Sequence, residues 1–376
     1  MLDGKTILIT GVSEYWGSRV AEYLLAEQER TGEFIEQPAS DSRPVNPHIL
    51  GIDGVPRTDS IKSLDFIQTD IRNPLLVELL KAENVDTIIH LAFEENYFAR
   101  ETAFDLNVIG TMKVMGAAAE AGVKKVVLMS STQVYGALPT NPAFLTEQQP
   151  LNGRQADGTT RNLVEIEAFC NGFRRQVPEM AIAILRFPGI IGPTVNSPMT
   201  RYLRLAPPPI LLGFDPQMQI IHEDDVVSAI VHAVKNDVSG VFNIAADGVL
   251  PLAKILGLVG KIPLPVFHLC ANWGSGLLRA SGVDISKYYP ISLDYLRFPW
   301  VADTSLMRDE LDFSPLYTAE EALREFSSQL RVSKYKPQTR DLAVDEALLR
   351  DTLERRKRMR EKISSSPEIV KETQNG

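Results

Sequence analysis

The chain has 376 residues, and 44% of them are hydrophobic, which is enough to build the core of a large folded domain. Its formal net charge of −9 argues against nucleic acid as a partner. The two cysteines, Cys170 and Cys270, are too few for a disulfide framework or a zinc site and favour a reducing, cytoplasmic location. A strand pattern begins almost at the first residue, which argues against a signal peptide. Lysines and prolines interrupt the apolar stretch 249–273, so we expect no membrane span.

The first pattern along the chain is a short apolar segment, 6–10, followed by glycines and then by amphipathic sequence. Its β-branched residues predict a strand that is buried on both faces. Val20 and Leu24 continue as one face of a helix. A strand that feeds a helix through Gly11 and Gly17 is typical of a dinucleotide-binding turn. In such a turn the backbone approaches a pyrophosphate, and the N–H groups of the helix N-terminus bind it.

A glutamate, Glu14, stands where a G-x-x-G-x-x-G pattern would have its middle glycine. Beside a bound phosphate, two like charges about 4 Å apart cost roughly 4 kcal/mol at an effective dielectric of 20. As an acid in the first turn of the helix, Glu14 would instead stabilise the helix dipole by about 0.3–1 kcal/mol. The two roles are compatible, because Glu14 would compete with phosphate for the same N–H groups.

Strand and helix patterns alternate through the first half of the chain. The predicted strands cover 6–10, 48–53, 66–71, 87–92, 125–131 and 181–186, and the predicted helices include 73–82 and 107–121. This alternation predicts an α/β fold with a Rossmann-type, doubly wound parallel sheet and helices on both faces. The polar, proline-bearing segment 31–47 is longer than a usual connection, so we interpret it as an inserted surface loop.

An acid, Asp53, ends the second predicted strand. A Rossmann fold uses an acid at this place to hold the adenosine ribose hydroxyls, which favours NAD. Arg57 follows closely and would suit a 2′-phosphate, so NADP is the alternative. Asp53 and Gly54 also form a common turn pair, which would give the carboxylate a structural role.

A series of short motifs carries a family resemblance. The motifs are Thr10-Gly11 with Gly17, Asp53, Asp70-Ile71, His90-Leu91-Ala92, 107–111, 130–136, Glu147 with Pro150, 185–188 with Gly192-Pro193, and 221–226. In this order they resemble the NAD-dependent epimerase/dehydratase family of extended short-chain dehydrogenases/reductases. The resemblance covers about residues 4–330, which we therefore expect to form one domain.

The resemblance implies a nicotinamide cofactor, NAD or alternatively NADP, and a nucleotide sugar or a related hydroxyl or carbonyl compound as substrate. Carried over position by position, it implies cofactor contacts from Gly11, Ser13, Glu14, Trp16, Gly17, Asp53, Asp70, Ile71, Leu91, Ala92, Asn107, Arg161 and Pro188.

The resemblance also implies a catalytic site after the fifth strand. Ser131 matches the serine or threonine that holds the reacting hydroxyl of the substrate, although residues 130–132 would also suit a simple turn. The family's central pair is a tyrosine acid/base and a lysine four residues later, which the spacing puts on one helical face. A glutamate usually follows four residues after the lysine.

Neither of two possible registers contains the tyrosine–lysine pair. The preferred register ends on Glu165 and has Asp157 and Arg161 at the two positions, and the alternative ends on Glu167 and has Thr159 and Leu163.

Asp157 and Arg161 have two interpretations. An aspartate with a pKa near 4 is ionised at neutral pH and is a poor acid, whereas Arg161 could still donate to ribose hydroxyls. The pair is also spaced as an ordinary i,i+4 surface ion pair, and we favour that interpretation. Tyr97, in the loop after the fourth strand, is a further candidate for a displaced acid.

The second half of the chain should supply a smaller C-terminal substrate lobe, mainly from 190–216 and 246–320. Arg201 and Arg204 are candidates to hold a diphosphate there, with simple solvation as the alternative. Residues 331–376 form a charged tail with a predicted helix over 339–363, and we expect its end to be disordered. The basic cluster 355–360 would suit an acidic partner, although a solvated helix is the safer interpretation.

Two functional hypotheses follow. The first is an NAD(P)-dependent epimerase, dehydratase or reductase with a rearranged acid/base site. The second is a catalytically inactive relative that serves as a nucleotide-sensing or scaffolding protein. A homodimer is compatible with either hypothesis, and the residues of the site must decide between them.

Overall fold

Thirteen strands are present in the computed structural model, which describes residues 4–33, 47–56, 61, 64–93, 100–153, 158–267, 291–335, 350, 353–354 and 357. They are β1 Thr6–Thr10, β2 His48–Asp53, β3 Asp65–Gln68, β4 Val85–His90, β5 Lys125–Ser131, β6 Ala181–Phe187, β7 Gly189–Ile191, β8 Pro209–Leu211, β9 Gln217–Met218, β10 Ile220–His222, β11 Gly240–Asn243, β12 Leu250–Pro251 and β13 Leu264–Val266. Seven of them form one parallel sheet in the order β11-β6-β5-β4-β1-β2-β3. This confirms the predicted Rossmann-type α/β fold.

Helices cover both faces of this sheet. The α-helices of the described residues are α1 Tyr15–Glu33, α2 Leu76–Ala82, α3 Arg100–Phe104, α4 Gly110–Ala121, α5 Gly158–Gln176, α6 Pro198–Arg204, α7 Glu223–Lys235, α8 Leu252–Leu258, α9 Ser305–Asp309 and α10 Ala319–Tyr335. One core layer packs α1 and α7 against the sheet, and the other packs α2, α4 and α5 against the opposite face. All five residues of β1 are buried, as a central parallel strand requires.

The register of the strands brings their carboxyl ends to one edge. Thr10 pairs with Ile52 of β2 and with His90 of β4, and Ser131 pairs with Phe187 of β6. The loops that follow β1, β2, β4, β5 and β6 therefore all begin at the same edge of the sheet, the one formed by the carboxyl ends of the strands. The strand order reverses between β1 and β4, and a parallel α/β sheet opens a ligand crevice at such a point.

Several predicted boundaries differ from the structure, and three of the differences follow from local hydrogen bonds. The third strand ends at Gln68 rather than at residue 71, because Asp70 turns back to accept the backbone N–H of Arg72 at 2.8 Å. The helix α2 begins at Leu76 rather than at Asn73, whose side chain accepts the N–H of Leu75 at 3.0 Å in a turn before the helix. The fourth strand ends at His90, because the next two amides donate to a threonine side chain instead of continuing the strand.

Short strand pairs build the second half of the chain: β7 with β10, β8 with β13, and β9 with β12. By its contacts the chain divides into a unit of residues 1–327 and a unit of residues 328–376. Tyr97, Asp157, Arg57, Cys270 and most of the predicted tail helix lie outside the described residues. Within the described part of the chain, no helix combines the length and the apolar character that crossing a membrane would need.

Candidate functional site

A cleft of about 880 Å³ opens at the carboxyl edge of the sheet. The residues predicted from the sequence that line it are Gly11, Glu14, Trp16, Asp53, Asp70, Ile71, Leu91, Ala92, Ser131 and Pro188. Three others support the wall through neighbouring residues: Ser13 bonds to Asp53, Gly17 packs on Gly11, and Asn107 bonds to Thr111. Residues from six segments of the chain that are distant in sequence thus share one cavity.

The glycine turn is closely packed against the end of β4. Gly11 has a φ of +70°, and a Cβ atom on it would lie 2.7 Å from the Cα of Ala92. A Cβ atom on Gly17 would overlap the carbonyl oxygen of Gly11. Both positions therefore require glycine, and the N-terminus of α1 is held at the floor of the cleft. Glu14 directly precedes α1 instead of lying in the first turn of the helix, and Glu14 is exposed.

Asp53 fastens the end of β2 to this turn. Its Oδ2 atom accepts the backbone N–H of Ser13 at 3.0 Å, and its Oδ1 atom accepts that of Val55 at 3.2 Å. The carboxylate thus has the local turn role that the sequence suggested as one alternative. It also lines the cleft, where it remains within reach of a ligand.

A charged cluster forms the wall beside β3. Asp70 accepts hydrogen bonds from the backbone N–H of Arg72 at 2.8 Å and from its guanidinium at 2.9 and 2.6 Å. The side-chain hydrogen bonds from Arg72 hold the pKa of the Asp70 carboxyl below its usual value. Arg72 also pairs with Asp105. Arg72 is already paired with two carboxylates, so this wall of the cleft is polar but carries no net positive charge.

A buried histidine stands behind the junction of β1 and β4. The Oγ1 atom of Thr10 accepts the amides of Leu91 and Ala92, both at 3.2 Å, so its single proton points to Nδ1 of His90 at 2.8 Å. The Nε2–H of His90 then donates to Thr111 Oγ1 at 2.9 Å. Burial lowers the pKa of His90 to about 4, so the ring is neutral at physiological pH.

Three residues of α5 line the cleft, Thr159, Leu163 and Ile166, and the first two belong to the alternative register. Thr159 and Leu163 are among the lining residues, whereas Arg161 is exposed and is not. The rotation of α5 follows from its buried residues Val164 and Glu167, which lie on the same face as Leu163. Of the described positions in the two registers, Thr159 and Leu163 line the cavity and Arg161 does not.

Ser131 lies opposite this face of α5, at the end of β5. It lines the cleft, and its Oγ atom accepts the N–H of Gln133 at 3.2 Å at the start of a 3₁₀ turn, Thr132–Tyr135. Ser131 therefore combines the turn role with exposure to the cavity. Pro188 follows β6 and lines the same part of the cleft.

Beneath this part of the cleft lies a buried polar network that sequence reasoning missed. Glu167 and Arg186, each 1% exposed, form an ion pair with a shortest N–O distance of 2.5 Å. Ser130 donates to Glu167 at 2.5 Å, and Arg186 donates to the hydroxyl of Tyr135 at 2.5 Å. Tyr135 in turn donates to Asn243 Oδ1 at 2.7 Å. The network ties α5, β5, β6 and β11 together. In the sequence its members appeared only in separate places, in the motifs 130–136 and 185–188 and at Glu167, with nothing to connect them.

The far side of the cleft is formed by residues 192–197 and by α6. Arg201 lines it and donates to the carbonyl of Asn196 at 2.9 Å, whereas Arg204 is not among the lining residues. A tyrosine of the glycine turn, Tyr15, bonds to Thr194 at 2.8 Å, a contact that no sequence motif predicted. Among the described residues, no group of three or more His, Cys, Asp or Glu side chains is arranged to hold a metal ion.

Comparison with known proteins gives a consistent family assignment. The model of the NAD-dependent epimerase/dehydratase family matches residues 7–245. An uncharacterized protein of Mycobacterium tuberculosis is 30% identical over 334 residues, which cover 86% of this chain and 83% of that protein.

Two solved structures share the fold. A dTDP-glucose 4,6-dehydratase from Bacillus anthracis in complex with NAD is 19% identical, with a TM-score of 0.63 over 89% of this chain and 98% of that one. A UDP-glucose 4-epimerase from Thermotoga maritima with UDP-glucose is 16% identical, with a TM-score of 0.62 over 88% of this chain and 99% of that one. The chain belongs to the NAD-dependent epimerase/dehydratase family.

Proposed function

We propose that this protein binds a nicotinamide dinucleotide and a nucleotide sugar but does not catalyse the hydride transfer of its family, and that it serves as a nucleotide-sensing or scaffolding protein. The observation that carries the proposal is the face that α5 presents to the cleft, Thr159 and Leu163. A threonine hydroxyl does not ionise near neutral pH, and the side chain of leucine has no ionisable proton. General acid/base catalysis needs a group whose pKa lies near the working pH.

The residues of the cleft fit a dinucleotide. The close packing of Gly11 and Gly17 leaves the N-terminus of α1 open to a pyrophosphate, and Asp53 and Asp70 would contact the adenosine half. A solved structure of the same fold is a complex with NAD, which supports this assignment. Glu14 opposes it in part, because its carboxylate lines the cleft beside the turn. When bound, a nicotinamide supplies hydride-transfer chemistry, and this chain's residues would orient it.

Tyrosine, histidine and lysine side chains of the described lining do not take the place of the tyrosine–lysine pair. Tyr15 is the one tyrosine there, it belongs to the glycine turn, and burial raises its pKa to about 12. His90 is buried and neutral, and both of its ring nitrogens have partners. No lysine is found among the described residues that line the cleft.

A second candidate function, an active enzyme with a rearranged site, is favoured by Ser131. Its hydroxyl lies at the carboxyl end of β5 and lines the cleft, as a residue that holds a reacting hydroxyl must. If this candidate is right, Ser131→Ala lowers turnover of a nucleotide sugar. An unchanged rate would count against it.

The test is a calorimetric titration of the purified protein with NAD⁺, NADH and NADPH, followed by chromatography of UDP-glucose and dTDP-glucose after incubation with the protein and NAD⁺. Sugar products are measured because an epimerase or a dehydratase returns the hydride to the sugar and leaves no net change in the nicotinamide. We expect binding of NAD⁺ and NADH, weaker binding of NADPH because of Asp53, and no converted sugar. Conversion of either nucleotide sugar would overturn the non-catalytic proposal in favour of the second candidate. A protein that binds none of the three dinucleotides would overturn both.

A further inference from the structure

The first turn of α1 is joined to the loop 192–197 by a hydrogen bond across the cleft. The hydroxyl of Tyr15 lies 2.8 Å from Oγ1 of Thr194, although the two residues are 179 positions apart in the sequence. Both line the cleft, Tyr15 next to the glycine turn and Thr194 just before α6. The contact therefore connects the part of the cleft that would hold the pyrophosphate with the part that would hold the second ligand.

The loop itself is built around a buried carboxylate. Glu223, the first residue of α7, is 1% exposed. It accepts the N–H of Thr194 at 3.2 Å, the N–H of Val195 at 2.6 Å and the hydroxyl of Thr194 at 2.8 Å. A Cβ atom on Gly192 would overlap the Glu223 carboxyl group, so the loop backbone packs directly on it. The loop is thus anchored to α7 by charge-assisted hydrogen bonds.

The direction of the hydrogen bonds is determined by this anchor. Thr194 has one hydroxyl proton and gives it to the Glu223 carboxylate, so Tyr15 is the donor in the bond to Thr194. Burial raises the pKa of Tyr15 to about 12, so its hydroxyl keeps this proton throughout the physiological range. Arg19 on α1 also pairs with Asp224 on α7. Two contacts therefore hold the start of α1 and the start of α7 together.

We propose that the Tyr15–Thr194–Glu223 bridge couples the two ligand sites, so that a dinucleotide bound at the N-terminus of α1 strengthens the binding of a nucleotide sugar beside the loop 192–197. This inference rests on the proposed function. Tyr15 is a positioning residue, since it acts on the second ligand through Thr194. Both ligands would favour the bridged arrangement, because each would contact one of the two segments that the bridge joins. Linkage then requires the nucleotide sugar to strengthen dinucleotide binding by the same factor.

The first experiment measures this coupling by calorimetry. UDP-glucose is titrated into the wild-type protein, Tyr15→Phe and Tyr23→Phe, each with and without saturating NAD⁺. Tyr23→Phe is the matched control, because Tyr23 lies on the same helix and is 39% exposed. In the wild type and the control we expect NAD⁺ to tighten UDP-glucose binding by about fivefold or more. In Tyr15→Phe we expect the two affinities to become nearly equal while NAD⁺ still binds. An equally large effect of NAD⁺ in Tyr15→Phe would overturn the inference.

The second experiment tests the bridge without any ligand. Amide hydrogen exchange at Thr194 and Val195 should be faster in Tyr15→Phe than in the wild type and in Tyr23→Phe, because the loop loses its hydrogen bond to α1. Unchanged exchange would contradict the bridge itself. A wild-type protein that binds both ligands without mutual effect would overturn the coupling and leave the proposed function standing. Failure to bind NAD⁺ at all would overturn the proposed function first, and the coupling with it.

Discussion

Thr159 and Leu163 lie one helical turn apart on α5, and both line the cleft at the carboxyl edge of the sheet. Arg161, which lies between them in sequence, is exposed. A tyrosine and a lysine with the same spacing would present a proton donor and its cation to this cavity. The described face of α5 therefore offers a hydroxyl and an apolar side chain at the two positions that the alternative register assigns to the tyrosine and the lysine.

The position of residues 159 and 163 on the cleft predicts that a double variant at these two positions gains catalytic activity. The double variant Thr159→Tyr with Leu163→Lys restores the pair on the face that lines the cleft. We expect conversion of UDP-glucose or dTDP-glucose to be at least roughly 10²-fold faster than in the wild type, the usual contribution of a general acid/base. The assay is chromatography of the sugar products formed by protein saturated with NAD⁺ and substrate, because the hydride returns to the sugar in each cycle.

A matched control uses the other register. Asp157→Tyr with Arg161→Lys introduces the same two side chains two residues earlier on the same stretch of chain, where Arg161 is exposed. We expect this double variant to stay inactive. Activity in the control and none in the first variant would mean that the preferred register of the sequence analysis was the functional one.

The choice between the two registers shows what the sequence could not decide. Glu165 and Glu167 both satisfy the rule of a glutamate four residues after the lysine position, so the motif alone cannot choose. The rotation of the helix is decided by tertiary packing, because Glu167 is buried against Arg186 and Leu163 turns toward the cavity. By contrast, β1, β2 and β5 were predicted with their observed bounds, since short runs rich in apolar and β-branched residues are typical of buried parallel strands.

Glu14 predicts an unusually weak dinucleotide site. Its carboxylate lines the cleft beside the glycine turn, so it should repel a bound pyrophosphate. Glu14→Gln should tighten NAD⁺ binding by about tenfold at low salt, and the gain should shrink as salt rises because the residue is exposed. Calorimetry at two ionic strengths checks this. Glu22→Gln, an exposed acid two turns further along α1, should leave the affinity unchanged. Weaker binding in Glu14→Gln would show that the carboxylate assists the ligand.

The buried ion pair predicts where the fold is most sensitive to charge. Glu167→Gln leaves the guanidinium of Arg186 buried without its anion, which typically costs about 3–5 kcal/mol in unfolding free energy. The exposed pair between Lys81 and Glu120 is the control, and Glu120→Gln should change stability by about 0.5 kcal/mol or less. Denaturant unfolding measures both. Equal losses would mean that the network beneath the cleft contributes little to stability.

The long-range contacts of the site were also beyond sequence reasoning. Tyr15 and Thr194 are 179 residues apart, and neither motif around them requires a tyrosine hydroxyl or a threonine at those positions. His90 appeared only as part of a strand motif, and the two hydrogen bonds of its ring are made with Thr10 and Thr111, which two other segments contribute. Short motifs reveal which segments form the sheet edge. Which side chains meet across that edge depends on register and packing.

His90 predicts how stability falls in acid. The unfolded chain binds a proton on this ring below about pH 6.5, whereas burial lowers the folded pKa to about 4. Between these values the unfolded state holds more protons, so the unfolding free energy falls as the pH drops through this window. A pKa difference of this size contributes roughly 2–3 kcal/mol to the loss between pH 7 and pH 4.5.

His90→Gln should lose correspondingly less stability over that range in the ligand-free protein. His48→Gln, at an exposed histidine, should behave as the wild type does. The same acid sensitivity in His90→Gln as in the wild type would mean that other groups determine the acid response.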